Sequence, residues 1–225
     1  TEQLIERIAG TVDLNSEQPF LPFYKKLSEM FFKICHDLNI ESCHFVGNDK
    51  FRTLTVDVSS EYLNNLTIGA SIAINGVCLT VTQFDQDKGK SNGQAQFDII
   101  DETLCKTNLL SINVGDEVNL ERSVTFGTEL GGHIVSGHIQ TVAKISDIQN
   151  SKDNCKMTLT LDAKWMKYIL YKGFVSVNGS SLTVGNTNKN SFDLHLIPET
   201  LKLTNLGVAK VGDYLNIEVD QQTYS

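Results

Sequence analysis

No stretch of this 225-residue chain is apolar over anything near the roughly 20 residues that a membrane-crossing helix needs. The opening TEQLIERIAG also lacks a basic region followed by an apolar one, so the expectation is a soluble, cytoplasmic protein. Long runs of Lys and Arg are missing too. At a formal net charge of −8, a phosphate backbone or an anionic membrane surface meets net repulsion, and neither nucleic acid nor membrane is an expected partner. A disulfide framework is also lacking: Cys35, Cys43, Cys78, Cys105 and Cys155 are odd in number and irregular in spacing, as reduced thiols are. Cys35-His36 and Cys43-His44 fit no common zinc-finger spacing, and neighbours on a helix point different ways, so no metal site is expected.

What is present is a repetition. NGVCLTV at 75–81 returns as NGSSLTV at 178–184, with Val-Cys exchanged for Ser-Ser. The match extends outward in one order. Phe97-Asp98 answers Phe192-Asp193, Glu102-Thr103-Leu104 answers Glu199-Thr200-Leu201, and Thr107-Asn108-Leu109 answers Thr204-Asn205-Leu206. Val114-Gly115-Asp116 answers Val211-Gly212-Asp213, and Asn119 and Glu121 answer Asn216 and Glu218. So long a series implies an internal duplication, hence two similar domains, 1–125 and 126–225, joined near 122–132. With 40% hydrophobic residues the chain has enough apolar surface for two small cores.

Both copies are rich in short alternating or β-branched stretches, such as SIAINGVCLTVT, KMTLTLD and YLNIEVD, punctuated by Gly, Asn and Asp. The expected class is all-β: two tandem six-stranded barrels of Greek-key type, since closure disposes of the exposed edges of so few strands. DETL and PETL read as short helices. One stretch has no counterpart: 17–45 places Phe23, Leu27, Met30, Phe31, Ile34, Cys35 and Leu38 at spacings of three and four, an inserted amphipathic helix that begins near Pro22. Such a stripe packs on its own domain or serves a partner.

The segments GASIAINGVCLTVT, VNLERSV, GGHIVSGHI, WMKYILYKGFVSVNGSSLTVG and LIPETL resemble riboflavin synthases over about 51–220. The resemblance implies that each barrel binds one 6,7-dimethyl-8-ribityllumazine and that a four-carbon unit passes between the two molecules. Riboflavin and 5-amino-6-ribitylamino-uracil would be the products, with no cofactor or metal. It implies a homo-oligomer, a trimer in the family. Lumazine- and flavin-binding antenna proteins look similar and do no chemistry; they are the alternative reading. Two identical substrates in unlike roles need two alike containers with different chemistry inside, which accounts for a phrase written twice with its middle changed.

Carried over residue by residue, the resemblance puts Cys78 in the first pocket, as a contact or a transient nucleophile, against the alternative of a small buried hydrophobe. Ser181, Thr183 and the first-copy equivalent Thr80 match ring-binding positions, where hydroxyls both donate and accept. His138 is assigned to the site as a base for a methyl proton, and His133 to structure, with Gly131-Gly132 and Ser136-Gly137 marking close backbone approach. Asp220 matches an acidic site residue and has Ser123 as its first-copy counterpart, while Ser71 and Asp98 resemble ligand contacts of the first barrel. Two departures from the family stand out. The usual Met-Phe-Thr-Gly-Ile opening has Glu6-Arg7 at its Thr-Gly, and after DQQTYS, where family members carry the helix that joins three subunits, the expectation is either an assembly held otherwise, as by the inserted helix, or a shortened sequence.

Overall fold

The computed structural model describes residues 6–8, 13–14, 51–85, 92–152 and 154–224. The amphipathic helix expected over 17–45 lies outside them. The first copy contributes strands β1 (Glu6–Ile8), β2 (Asp13–Leu14), β3 (Phe51–Ser59), β4 (Ser71–Ile74), β5 (Val77–Asp85), β6 (Asn92–Ile100) and β7 (Val118–Arg122). The second contributes β8 (Thr141–Asn150), β9 (Cys155–Thr160), β10 (Phe174–Val177), β11 (Ser180–Thr187), β12 (Ser191–Leu196) and β13 (Tyr214–Val219). Three short helices complete the set: α1 (Asp101–Lys106), α2 (Pro198–Leu203) and α3 (Gln221–Tyr224). No helix among the described residues is long and apolar enough to cross a membrane.

The second copy forms a closed barrel in the order β10-β11-β12-β9-β8-β13. The first copy's strands run β1-β7-β4-β5-β6-β3-β2 in a seven-stranded sheet, where a six-stranded barrel was expected. The two orders are the same ring once equivalents are exchanged, and the difference sits at one strand. β8 has ten residues and pairs with β13 through Thr141–Lys144 and with β9 through Lys144–Asn150. In the first copy that work is divided between β1, three residues beside β7, and β2, two residues beside β3. Short strands carry few ladder hydrogen bonds, so the closing element is the weak point of this ring.

By contact the chain divides into two compact units, one including Ile72–Cys78 and Val118–Ser225, the other including Leu79–Glu117. The first of these has a core that obeys strand alternation. In β9 Cys155, Met157 and Leu159 are buried and their neighbours half-buried, packing with Ile145, Val175, Val184, Phe192 and Leu194. The second unit repeats the plan with Leu54, Val56, Ala95, Phe97 and Ile99. Phe97 and Phe192, the aromatic residues of the repeated Phe-Asp pair, are each 0% exposed, so the duplicated letters mark core plugs worth about 3–5 kcal/mol apiece by truncation.

The remaining repeated phrases are local hydrogen-bond devices. In Thr-Asn-Leu, the hydroxyls of Thr107 and Thr204 donate to Thr103 O and Thr200 O at 2.7 Å and accept the N–H of Leu109 and Leu206 at 3.3 Å. Each threonine thus closes a helix and caps the 3-10 turn after it. In Val-Gly-Asp, the carboxylates of Asp116 and Asp213 accept the N–H of Asn113 and Lys210 at 2.7 and 2.8 Å, with Gly115 and Gly212 at positive φ.

The Asn-Gly turns do more. Asn75, Gly76, Asn178 and Gly179 all have positive φ, as a type I′ hairpin turn demands. Asn75 Oδ1 accepts Asn119 N–H at 2.9 Å and Asn178 Oδ1 accepts Asn216 N–H at 2.8 Å. The amides then cross over: Asn119 Nδ2 donates to Asn178 O and Asn216 Nδ2 donates to Asn75 O, both at 2.9 Å. Asn205 joins through its N–H to Asn119 Oδ1 and its Nδ2 to Asn75 Oδ1. A Cβ on Gly76 would lie 2.5 Å from Gly179 N, so the two turns touch through bare backbone.

Candidate functional site

Directly opposed residues in a sheet share a face. Ser176 of β10 faces Ser181 of β11 on one side and Glu218 of β13 on the other, and Phe174 faces Thr183. Alternation along the strands puts Phe174, Ser176, Ser181, Thr183, Glu218 and Asp220 together on the same side of the β10-β11-β13 sheet. The duplication transfers these positions to Ser71, Ala73, Cys78, Thr80, Glu121 and Ser123 of the first copy. Along β5, Val77, Leu79 and Val81 are buried while Cys78 and Thr80 are exposed.

Over the second-copy face lies the loop that leads into β8. His133 Nδ1 is 2.6 Å from Ser181 Oγ, and the His133 N–H donates to the same oxygen at 3.1 Å. The hydroxyl has one proton and two lone pairs, so beside the backbone N–H it either donates to Nδ1 or accepts from Nδ1–H, according to the ring tautomer. Nε2 is buried and has no hydrogen-bond partner among the described residues. The ring stacks on Phe174, centroids 5.3 Å apart and planes 14° apart. Burial lowers the His133 pKa below its ordinary value, although the charges of Asp220 and Glu218 pull it back up. The neutral imidazole that results has one nitrogen that accepts a proton and one N–H that donates.

From Ser136, three residues on, the same loop is held again. Glu218, 1% exposed, accepts Ser136 N–H at 2.7 Å and Ser136 Oγ–H at 2.6 Å on Oε1, and Gly137 N–H at 2.8 Å on Oε2. Gly137 O then accepts the N–H of Cys78 at 2.9 Å. Gly132 and Gly137, both at positive φ, leave no room for a side chain: a Cβ on Gly132 would collide with Ser181 Oγ, and one on Gly137 would lie 2.5 Å from Cys78 Cβ.

The residues singled out from the sequence are therefore placed as follows. Ser181, Thr183 and Asp220 share the face, with Thr183 exposed and Asp220 capping α3 by accepting Gln222 N–H at 3.0 Å. Cys78 and Thr80 are exposed neighbours on β5, and Ser71 is exposed at the start of β4. Asp98 is exposed on β6 and accepts the hydroxyl of Thr53 at 2.8 Å. Its counterpart Asp193 accepts Thr158 at 2.8 Å and lies 3.1 Å from Lys156 Nζ. Burial alone would raise the Asp193 pKa; the Thr158 hydroxyl and the Lys156 cation outweigh it and hold the carboxyl below its ordinary range. This aspartate is thus a cross-strand strut in both copies. His138 is exposed and makes no hydrogen bond to a described residue, whereas His133, assigned to structure from the sequence, is the histidine that meets Ser181. Sequence reasoning also passed over Glu218, Ser176 and Phe174. The signal for His133 was the glycine before it, which is there because Ser181 occupies the space of a side chain. Among the described residues no cluster of His, Cys, Asp and Glu is arranged to hold a metal ion.

A lumazine binding domain matches the chain twice, over residues 33–123 and 136–220. The riboflavin synthase of Escherichia coli (strain K12) is 47% identical over 174 residues, spanning 77% of this chain and 79% of that protein. The chain belongs to the riboflavin synthase family. The riboflavin synthase of Chlamydia pneumoniae is 34% identical over 194 residues, 86% of this chain and 92% of its own length. In Schizosaccharomyces pombe the figure is 38% over 164 residues, covering 72% and 75%. Among solved structures, LumP complexed with riboflavin superposes with a TM-score of 0.68 at 24% identity over 78% of this chain and 92% of LumP, a likeness of fold. LumP complexed with 6,7-dimethyl-8-(1'-D-ribityl) lumazine gives 0.66 at 25% identity over 77% and 90%. The Escherichia coli riboflavin synthase is thus almost twice as identical to this chain as LumP is, 47% against 24–25%.

Proposed function

We propose that the chain disproportionates two 6,7-dimethyl-8-ribityllumazine molecules into riboflavin and 5-amino-6-ribitylamino-uracil, as a cytoplasmic homo-oligomer. Domains 1–125 and 126–225 each take one lumazine. The carrying observation is the Ser181–His133 pair, a hydroxyl 2.6 Å from an imidazole nitrogen on the face whose first-copy equivalent presents Cys78 and Thr80. No outside oxidant is needed, since one lumazine loses the four carbons that the other gains.

The residues divide the work by chemistry. His133 takes the Ser181 proton at Nδ1 as Ser181 Oγ, or a water it orients, removes a proton from the acidic methyl group of one lumazine. Its Nε2–H and the Thr183 hydroxyl meet the polar edge of the heterocycle. Phe174, already stacked on the imidazole, supplies a flat apolar wall. Cys78 and Thr80 hold the other lumazine, the thiol adding to an electrophilic ring carbon and leaving again. Holding the two rings at reacting distance supplies the rest of the acceleration.

The purified protein incubated with the lumazine should form riboflavin at one molecule per two consumed, read by chromatography. A bound, unreacted chromophore would favour the antenna alternative. His133→Gln should cost about 10²- to 10⁴-fold in kcat, the range for a general base, and His138→Gln much less. The reverse order would return the role to His138. Unchanged turnover in Cys78→Ser would remove the covalent step at that thiol.

A further inference from the structure

The loop over the site touches both versions of the repeated phrase: His133 binds Ser181 of NGSSLTV, and Gly137 O takes the N–H of Cys78 of NGVCLTV. Between those contacts the loop is gripped by one side chain. Glu218 spends both carboxylate oxygens on it, accepting two backbone N–H groups and a hydroxyl at 2.6–2.8 Å. A buried carboxylate with three such donors is a stiff clamp, because charge-assisted bonds are about twice as strong as neutral ones. Among the described residues the side chain of its first-copy counterpart Glu121 makes no such bonds, and burial raises its pKa above the ordinary value.

We propose that Glu218 is a positioning residue for the reaction: by fixing the Ser136–Gly137 peptide it sets where the backbone carries the Cys78 thiol. The chain of contact is short: Glu218 to Gly137 N–H, Gly137 O to Cys78 N–H, with Gly137 packed too close to Cys78 Cβ to admit a methyl group. The proposal rests on Cys78 belonging to the site as read above. It adds that a second-copy strand governs a first-copy residue, so that the two phrases are tuned by one carboxylate that contacts no substrate.

Glu218→Gln keeps the size of the side chain but points an amide N–H₂ at a peptide N–H. It should loosen the loop and lower kcat by about 10- to 100-fold, the cost of a misplacement near 1 Å, while KM changes by less than about threefold. Glu218→Asp, which keeps the acceptors, should recover part of the loss, and Ser136→Ala, which deletes only the hydroxyl bond, should fall between wild type and Gln. The decisive readout is the rate at which iodoacetamide alkylates Cys78, followed by mass spectrometry of its peptide on folded protein, because a purely structural clamp would lower melting temperature without changing it. Alkylation should shift at least threefold in the Gln variant and in the same order across the series. If Gln does not fold, Ser136→Ala and Glu218→Asp carry the test alone. Alkylation and kcat within a factor of about 1.5 of wild type in every folded variant would overturn the proposal. Absence of riboflavin formation by wild-type protein would instead refute the proposed activity, and the alkylation series would still report on Glu218.

Discussion

Two opposed effects act on the ring of His133: burial disfavours its charged form, and Asp220 and Glu218 favour it. Burial prevails, so the folded pKa lies below the ordinary value. Linkage then sets the sign. Above the ordinary value of 6.5 both folded and unfolded chains carry neutral histidine and nothing is lost; as pH falls below it, the unfolded chain takes up the proton first and folding weakens until the folded pKa is passed. Replacing His133 with Gln should flatten this part of the dependence. Urea midpoints of wild type and variant between pH 7.5 and 5 test this, and parallel curves would place the burial penalty elsewhere. The same shift keeps the imidazole neutral, and hence basic, in mildly acid solution.

The elements show how one sequence device serves two ends. Asn-Gly forms the turn of both hairpins because both letters tolerate positive φ. The letters do not say that the turns also meet each other. Gly76→Ala therefore carries two penalties, a strained backbone and a Cβ 2.5 Å from Gly179 N, and should destabilise by about 2–5 kcal/mol. Gly115→Ala, at a positive φ with nothing within 4 Å of the added Cβ, should show only the strain, about 1–2 kcal/mol. Chemical denaturation of the two variants measures the difference; equal losses would mean that the close approach relaxes at no cost. A similar contrast separates β8 from β1 and β2. Among the described residues β8 alone of the three pairs on both sides.

At the scale of the whole chain, duplication makes a numerical prediction. Two lumazine binding domains should take up two equivalents of a lumazine or riboflavin analogue per chain, measured by titration of the analogue's fluorescence against protein of known concentration. Ser181→Ala and Cys78→Ser should each weaken one class of site and leave the other. One equivalent in the wild type, or loss of both classes in either variant, would contradict a division of roles between the copies. Nothing in composition could have led to this number; it follows from matched residues in matched order.

By itself the sequence determined the class of structure and the family. Alternation, turn residues and an ordered repetition are local properties, and each recurs as a strand, cap or turn with the same hydrogen bonds in both copies. Ser181, Thr183 and Asp220 are named through the resemblance; a strand's period of two puts Ser181 and Thr183 on one face, and the pairing of β10 with β11 and β13 brings Asp220 to it. Which histidine meets Ser181, that Glu218 holds the loop beside Cys78, and that Asp98 is tied to Thr53 were decided only by the tertiary structure. Each depends on a contact between residues far apart in the chain, where burial and hydrogen-bond satisfaction choose the partner and neighbouring letters carry no trace of it.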